Sequence, residues 1–254
     1  METIDYTGIN SKTIDRMVEN GWECGIPISH EDYINAKNGV WNVLLTLTKY
    51  VPKNWFPDLK NNKLLGLACG GGQQMPIFAA LGADCTVLDY SDKQLASEKY
   101  VAERENYKIN IIKADMTKKL PFDDETFDII FHPASNDYVE NVYHIWNECY
   151  RILKTGGILL AGLDNGINYL FDNEESLEIV NKLPYNPLKD KEKLKKLMEN
   201  DKGIPFSHTL EEQIGGQLKA GFILQDLFED YNDSGLLKEY IPTFIATKAI
   251  KRSK

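Results

Sequence analysis

The sequence predicts an α/β fold built on a doubly wound, mostly parallel sheet, and three observations carry that prediction. Apolar runs with the length of buried parallel strands recur at residues 63–67, 83–90, 110–114, 127–131 and 158–163. Segments with helix-start and helix-stop signals alternate with them. The first run, KLLGLACGGG at residues 63–72, breaks into three glycines just before a predicted helix at residues 73–81 that Gly82 closes. Glycines at a strand-to-helix turn let the backbone approach a ligand closely, and α/β proteins hold nucleotides there.

In chain order, residues 1–62 precede this core and are rich in aromatics: Tyr6, Trp22, Tyr33, Trp41, Tyr50, Trp55 and Phe56. Residues 31–50 after Ser29 predict a helix with Tyr33, Ala36, Val40, Val43, Leu44 and Leu47 on one stripe. Packing of that stripe on the sheet is the favoured expectation. The functional alternative is a lid, with Trp22, Tyr33 or Trp41 lining a pocket.

Within the core, the second strand ends at Asp89, 19 residues after Gly70. An acidic residue at that spacing is placed to accept from both hydroxyls of a ribose, so a nucleoside is the expected ligand. A dinucleotide fingerprint requires a third glycine where this chain has Met75, and Pro76 follows inside the first helical turn. A pyrophosphate is therefore a poorer fit than a nucleoside lacking one.

Ser91 to Gln94 reads as a capping box opening a helix that runs to Glu105. The third strand, residues 110–114, leads into Asp115 and Met116, and the fourth, residues 127–131, into HPASNDY. Strand ends at a switch point form the open crevice of such folds. His132, Ser135, Asn136 and Tyr138 are accordingly candidates to face a substrate, His132 also to act as a base. The next helix has Val142, Ile145, Trp146, Cys149, Ile152 and Leu153 on its core face, with Gly156 as its end and His144 off that face. The fifth strand ends at Asp164 and Asn165.

Residues 172–208 depart from the core pattern and predict an insertion that caps the substrate site. Its charged run KDKEKLKKLMEN reads as a solvated helix with Leu188, Leu194, Leu197 and Met198 inward. A capping box from Thr209 to Glu212 then opens a helix to Gly221, with His208 beside its start, either substrate-facing or an N-terminal staple. Gly215 and Gly216 inside that helix imply close packing. Residues 222–228 and 243–249 read as two final strands.

The net charge of −9 disfavours nonspecific binding to nucleic acid or anionic lipid, both of which need clustered positive charge. The four cysteines, Cys24, Cys69, Cys85 and Cys149, form no C-x-x-C pair and are read as reduced and structural. No membrane-spanning run or leader pattern is present, so a cytoplasmic protein is expected.

LLGLACGGG, VLDY, KADM, LPFDDETFDIIF and YRILKTGGILLAG, in this order over residues 63–162, resemble the class I S-adenosylmethionine-dependent methyltransferases, specifically the small-molecule type 11 branch. The resemblance implies a Rossmann-like, seven-stranded sheet with its last strand antiparallel. It implies an N-terminal helical lid over residues 1–62 and a cofactor-binding domain over residues 63–254. It also implies S-adenosylmethionine as cofactor, bound through Ala68, Cys69, Gly70, Gly72, Asp89, Tyr90, Asp115, Met116 and His132. In the family the acidic residue at position 115 accepts from the adenine amine and its apolar neighbour packs on the ring. The family carries an acidic residue, which helps hold the methionine amino group, where this chain has Gly66, and glycine where it has Ala68.

The implied reaction is direct in-line methyl transfer to a small-molecule acceptor, with His132, Asn136, Tyr138 and His208 as substrate-facing candidates. An N-P-P-Y motif, used by relatives that methylate nucleobase or amide nitrogens, is absent. A noncatalytic S-adenosylmethionine-binding protein, a nicotinamide-dependent oxidoreductase and a macromolecule-modifying methyltransferase are the alternatives.

Overall fold

The computed structural model describes residues 4–172 and 176–252. Residues 173–175 of the predicted insertion lie outside the described residues. Seven strands, β1 (Lys63–Leu67), β2 (Asp84–Asp89), β3 (Asn110–Lys113), β4 (Phe127–His132), β5 (Leu153–Asp164), β6 (Phe222–Asp230) and β7 (Phe244–Lys251), form one sheet of order β3-β2-β1-β4-β5-β7-β6. All pairings from β3 to β5 are parallel, and β7 runs antiparallel to both β5 and β6. Order reverses between β1 and β4, which creates the crevice at their carboxyl ends.

Strand alternation splits the core between the two faces of the sheet. Leu65, Leu67 and Ile130 pack with Trp146, Cys149 and Ile152 on one face, and Leu64, Ile129 and Phe131 with Phe78 and Trp55 on the other. The helices are α1 (Tyr6–Glu19), α2 (His30–Lys37), α3 (Gln74–Ala80), α4 (Asp92–Glu105), α5 (Val142–Ile152), α6 (Lys191–Glu199) and α7 (Leu210–Ala220).

Four local expectations are corrected. The helix expected over residues 31–50 is only α2, because Asn38 caps it and Gly39 turns into the left-handed region at φ +84°. Beyond it the chain runs as an irregular strap in which Val40 is exposed, Leu44 bridges to Tyr50, and the Leu45 carbonyl accepts from the Ala134 N–H. Helix α5 stops at Ile152 rather than Gly156, since Leu153 already pairs with Phe127 as strand. The box at Ser91 is half made: its hydroxyl accepts from the Gln94 N–H, while its own N–H donates to Asp89. In α6, Leu194 and Leu197 are half-buried but Met198 is exposed.

The capping box at Thr209 and Glu212 is complete. All four cysteines are free thiols, three buried and Cys24 exposed. Among the described residues no helix is long and apolar enough to cross a membrane.

Candidate active site

The turn after β1 carries the geometry expected of a ligand cradle. Gly70 leaves no room for a side chain, because a Cβ there would stand 2.7 Å from Gln94 Cβ and 3.1 Å from Asp89 Oδ2. Its N–H donates to Asp89 Oδ2 at 3.0 Å, and the Ser91 N–H donates to Oδ1 at 3.0 Å. Asp89 is thus clamped at the end of β2, with lone pairs left over for a ligand. Burial pushes its carboxyl up, while the N–H groups of Ser91 and Gly70 pull it back down.

Gly72 has a different task. Its N–H donates to the buried Glu98, and a Cβ would meet Val101 at 2.7 Å, so it lets α4 approach the loop from behind. Ala68, where a glycine is expected from the resemblance, holds φ +48°, a left-handed backbone that costs an alanine about 1–2 kcal/mol.

A chamber of about 470 Å³ opens above this turn. Ala68, Cys69 and Gly70 form its floor, Asp89 and Tyr90 one side, and Asp115 and Met116 another. Asp115 also makes a local turn, accepting from the Thr117 N–H and hydroxyl through Oδ1. Ser135 and Tyr138 lie on the opposite wall, and Trp22 and Cys24 reach in from the N-terminal segment. Tyr33 and Trp41 do not: Tyr33 stacks on Tyr107 and Trp41 meets the edge of Phe56. Helix α1 covers the chamber, held by Ser11 on the Tyr90 carbonyl and by Asp15 on Ser91 and Lys93.

The floor, the clamped carboxylate and the Asp115 wall fit a nucleoside. Gln94 adds a buried side-chain oxygen on this wall that has no donor among the described residues. Its place beside Gly70 and Gly71 was not singled out in the sequence beyond helix capping.

Besides Gly72, which supports the turn from behind, three expected site residues stand off the chamber walls. His132 is fully buried because strand alternation turns it toward α5, edge-on to Trp146. Its Nδ1 lies 2.9 Å from the Leu67 carbonyl and its Nε2 2.9 Å from Asn136 Oδ1, and burial lowers its pKa, so the single N–H of the neutral ring serves one of these two oxygens. Asn136 continues this chain to Gln213, and the His208 ring donates to the Asn136 carbonyl at 3.1 Å. These three residues brace the loop after β4 and do not line this chamber.

That loop presents Asp137 instead. A second chamber of about 980 Å³ adjoins the first, between the end of β5 and the insertion. Leu47, Asp137, Asp233 and Phe244 line both. Asp164, Tyr169 and Tyr185 belong to the second alone, with Lys193 and Lys196 from α6 on its outer side. Burial first, and then the charge of Asp164, pushes the Asp137 carboxyl well up, and the Tyr169 hydroxyl donates to it. Burial likewise pushes Asp164 up to about 6, against hydrogen bonds from Asn168 and the Gly166 N–H. Asp137 was missed in sequence although it lies inside HPASNDY; an aspartate in a polar loop carries no pattern that separates it from a turn residue.

The family model described as "Methyltransferase domain" matches residues 65–161. "Uncharacterized methyltransferase YbaJ" of Bacillus subtilis (strain 168) is 44% identical over 248 residues, covering 95% of this chain and 97% of that protein. "Ubiquinone/menaquinone biosynthesis C-methyltransferase UbiE" of Cereibacter sphaeroides is 26% identical over 224 residues, 82% of this chain and 86% of that one. Among solved structures, an S-adenosylmethionine dependent methyltransferase from Mesorhizobium loti aligns with a TM-score of 0.60 at 19% identity, over 78% of this chain and 95% of that chain. It shares the fold.

Proposed function

Because the chain belongs to the class I S-adenosylmethionine-dependent methyltransferases, in the type 11 branch, we propose that it transfers a methyl group in one in-line displacement to a small molecule seated in the second chamber. The observation that carries this reading is the shared wall of Leu47, Asp137, Asp233 and Phe244, which makes the two chambers neighbours at one boundary. S-adenosylmethionine supplies a methyl carbon already activated by its sulfonium, with a thioether as leaving group. The protein's part is then alignment and exclusion of water.

In this reading Asp89 accepts from the ribose hydroxyls, Tyr90, Asp115 and Met116 hold the adenine, and the turn at Cys69 and Gly70 runs beneath the methionine portion. Helix α1 and the strap through Leu45 and Leu47 close the top. The insertion over residues 172–208 shapes the acceptor chamber, and the N-terminal 62 residues act as its lid. A relative named for quinone biosynthesis and a net charge of −9 support a small acceptor over a macromolecule.

The test is calorimetric titration with S-adenosylmethionine, S-adenosylhomocysteine and NADH. A screen of small hydroxyl, amine and thiol compounds, read as S-adenosylhomocysteine formation, follows. Binding of the first two ligands alone, with turnover on a small compound, is the expected result. Turnover only on protein or nucleic acid overturns the acceptor assignment, and binding without turnover on any acceptor supports a noncatalytic role.

A further inference from the structure

We propose that Asp137 receives the proton of the methyl acceptor and that the second chamber selects an amine, so that the methyl group goes to nitrogen; this rests on the second chamber being the acceptor site. Asp137 sits on the wall that both chambers share, where donor and acceptor meet. It is anchored there through its backbone, whose carbonyl accepts from the Phe206 N–H at 2.7 Å.

The charges of the second chamber are segregated. At its inner end stand Asp137 and Asp164, and the groups that face them are Tyr169, Tyr138, Asn168 and the Gly166 N–H. Among the described residues no lysine, arginine or histidine pairs with either carboxyl. Three lysines line the chamber away from these carboxyls: Lys193 lies 5.5 Å from the centre of the Tyr185 ring and bonds Asn181, Lys196 is 3.9 Å from Asp172, and Lys202 follows α6 as an exposed residue. A buried negative charge without a counter-charge is costly, and a bound ammonium removes that cost.

Aromatic rings supply a second feature suited to a cation. Tyr169 and Tyr185 stack at 5.6 Å on this wall, and Phe171 and Phe244 complete it. Burial raises both carboxyls and the charge of Asp164 raises Asp137 further, so a cation bound beside them favours the ionised form in which Asp137 carries a negative charge. A neutral alcohol would leave that charge unmatched.

The step balances. An ammonium N–H gives its proton to Asp137, and the freed lone pair forms the N–C bond to the methyl carbon. The C–S bond breaks with its electron pair on sulfur, and the proton on Asp137 passes to solvent when the product leaves.

The test uses the whole chain saturated with S-adenosylhomocysteine and titrated calorimetrically with 2-phenylethylamine, 4-phenylbutylamine and octylamine, each against the alcohol of the same skeleton. The wild type is expected to bind at least one amine about tenfold or more tighter than its alcohol, and Asp137→Asn to lose that preference. Amines bound no tighter than alcohols by the wild type, or a preference that survives in a folded Asp137→Asn protein, overturns the proposal. The wild-type comparison decides the amine assignment even if the variant does not fold. Alcohols preferred over amines would remove the amine assignment and leave the acceptor chamber standing, whereas a wild type that does not bind S-adenosylhomocysteine would strike the functional reading itself.

Discussion

The thioether of Met75 occupies the space that a side chain on Gly66 would need. A Cβ on Gly66 would overlap Met75 Sδ and stand 3.1 Å from Cys69 Cβ, and Met75 is fully buried. A glycine and methionine pair on two adjacent elements, β1 and α3, thus fills with apolar atoms the place where the resemblance implies an acidic side chain.

Restoring the acid alone should be damaging. Gly66→Asp is expected to lower stability by about 2–4 kcal/mol, from overpacking and from a buried carboxylate without a partner. Adding Met75→Ala should return the steric part. Urea unfolding of the three proteins checks this, and a Gly66→Asp protein as stable as the wild type would show that Met75 moves aside freely.

Asp89→Ala should weaken S-adenosylmethionine binding by about 1–3 kcal/mol, the scale of hydrogen bonds to a charged group in a closed site. Asp89→Asn should fall between, since one of its two side-chain atoms no longer accepts. Titration calorimetry measures both, and unchanged affinity in the alanine variant removes the ribose assignment.

The two glycines of α7 should respond in opposite directions. A Cβ on Gly216 would stand 2.5 Å from Trp146 Cδ1, so Gly216→Ala should cost about 1–3 kcal/mol by forcing α7 away from α5. A Cβ on Gly215 meets only the Glu211 side chain, at 3.5 Å, so Gly215→Ala should stabilise the helix by about 1 kcal/mol. Melting temperatures of the two variants decide the matter.

Glu98 ties stability to pH. Burial pushes its carboxyl up to about 7 from the ordinary 4.5, although Tyr107 and the Gly72 N–H both donate to it. Between those values the folded protein holds a proton that the unfolded chain has released. Its contribution is therefore complete below about 4.5 and is lost as pH rises through about 7, roughly 3 kcal/mol in all. Glu98→Gln, which can still accept from Gly72 and donate to Tyr107, should flatten that part of the profile measured by denaturant unfolding from pH 4.5 to 8. An identical slope in both proteins would assign the dependence to other groups.

Much of the fold was legible because its signals are local. The strands at Lys63–Leu67 and Asp84–Asp89, the glycine turn between β1 and α3, and the cap at Thr209 each follow from a few adjacent residues. The helix expected over residues 31–50 failed where an Asn-Gly stop at Asn38 and Gly39 outweighed an apolar stripe, and the stripe's later members pack as a strap instead.

The candidate site divides along the same line. The sequence alone determined the sheet, the turn at Gly70 and the carboxylate at Asp89, since strand length, backbone freedom and spacing along the chain suffice to specify them. Tertiary structure decided the rest. The side to which His132 turns depends on strand parity against Trp146, the meaning of Gly66 depends on Met75 from the next helix, and the importance of Asp137 depends on two chambers meeting at its carboxyl. Each of these is a packing relation between segments separated along the chain, which local pattern does not encode.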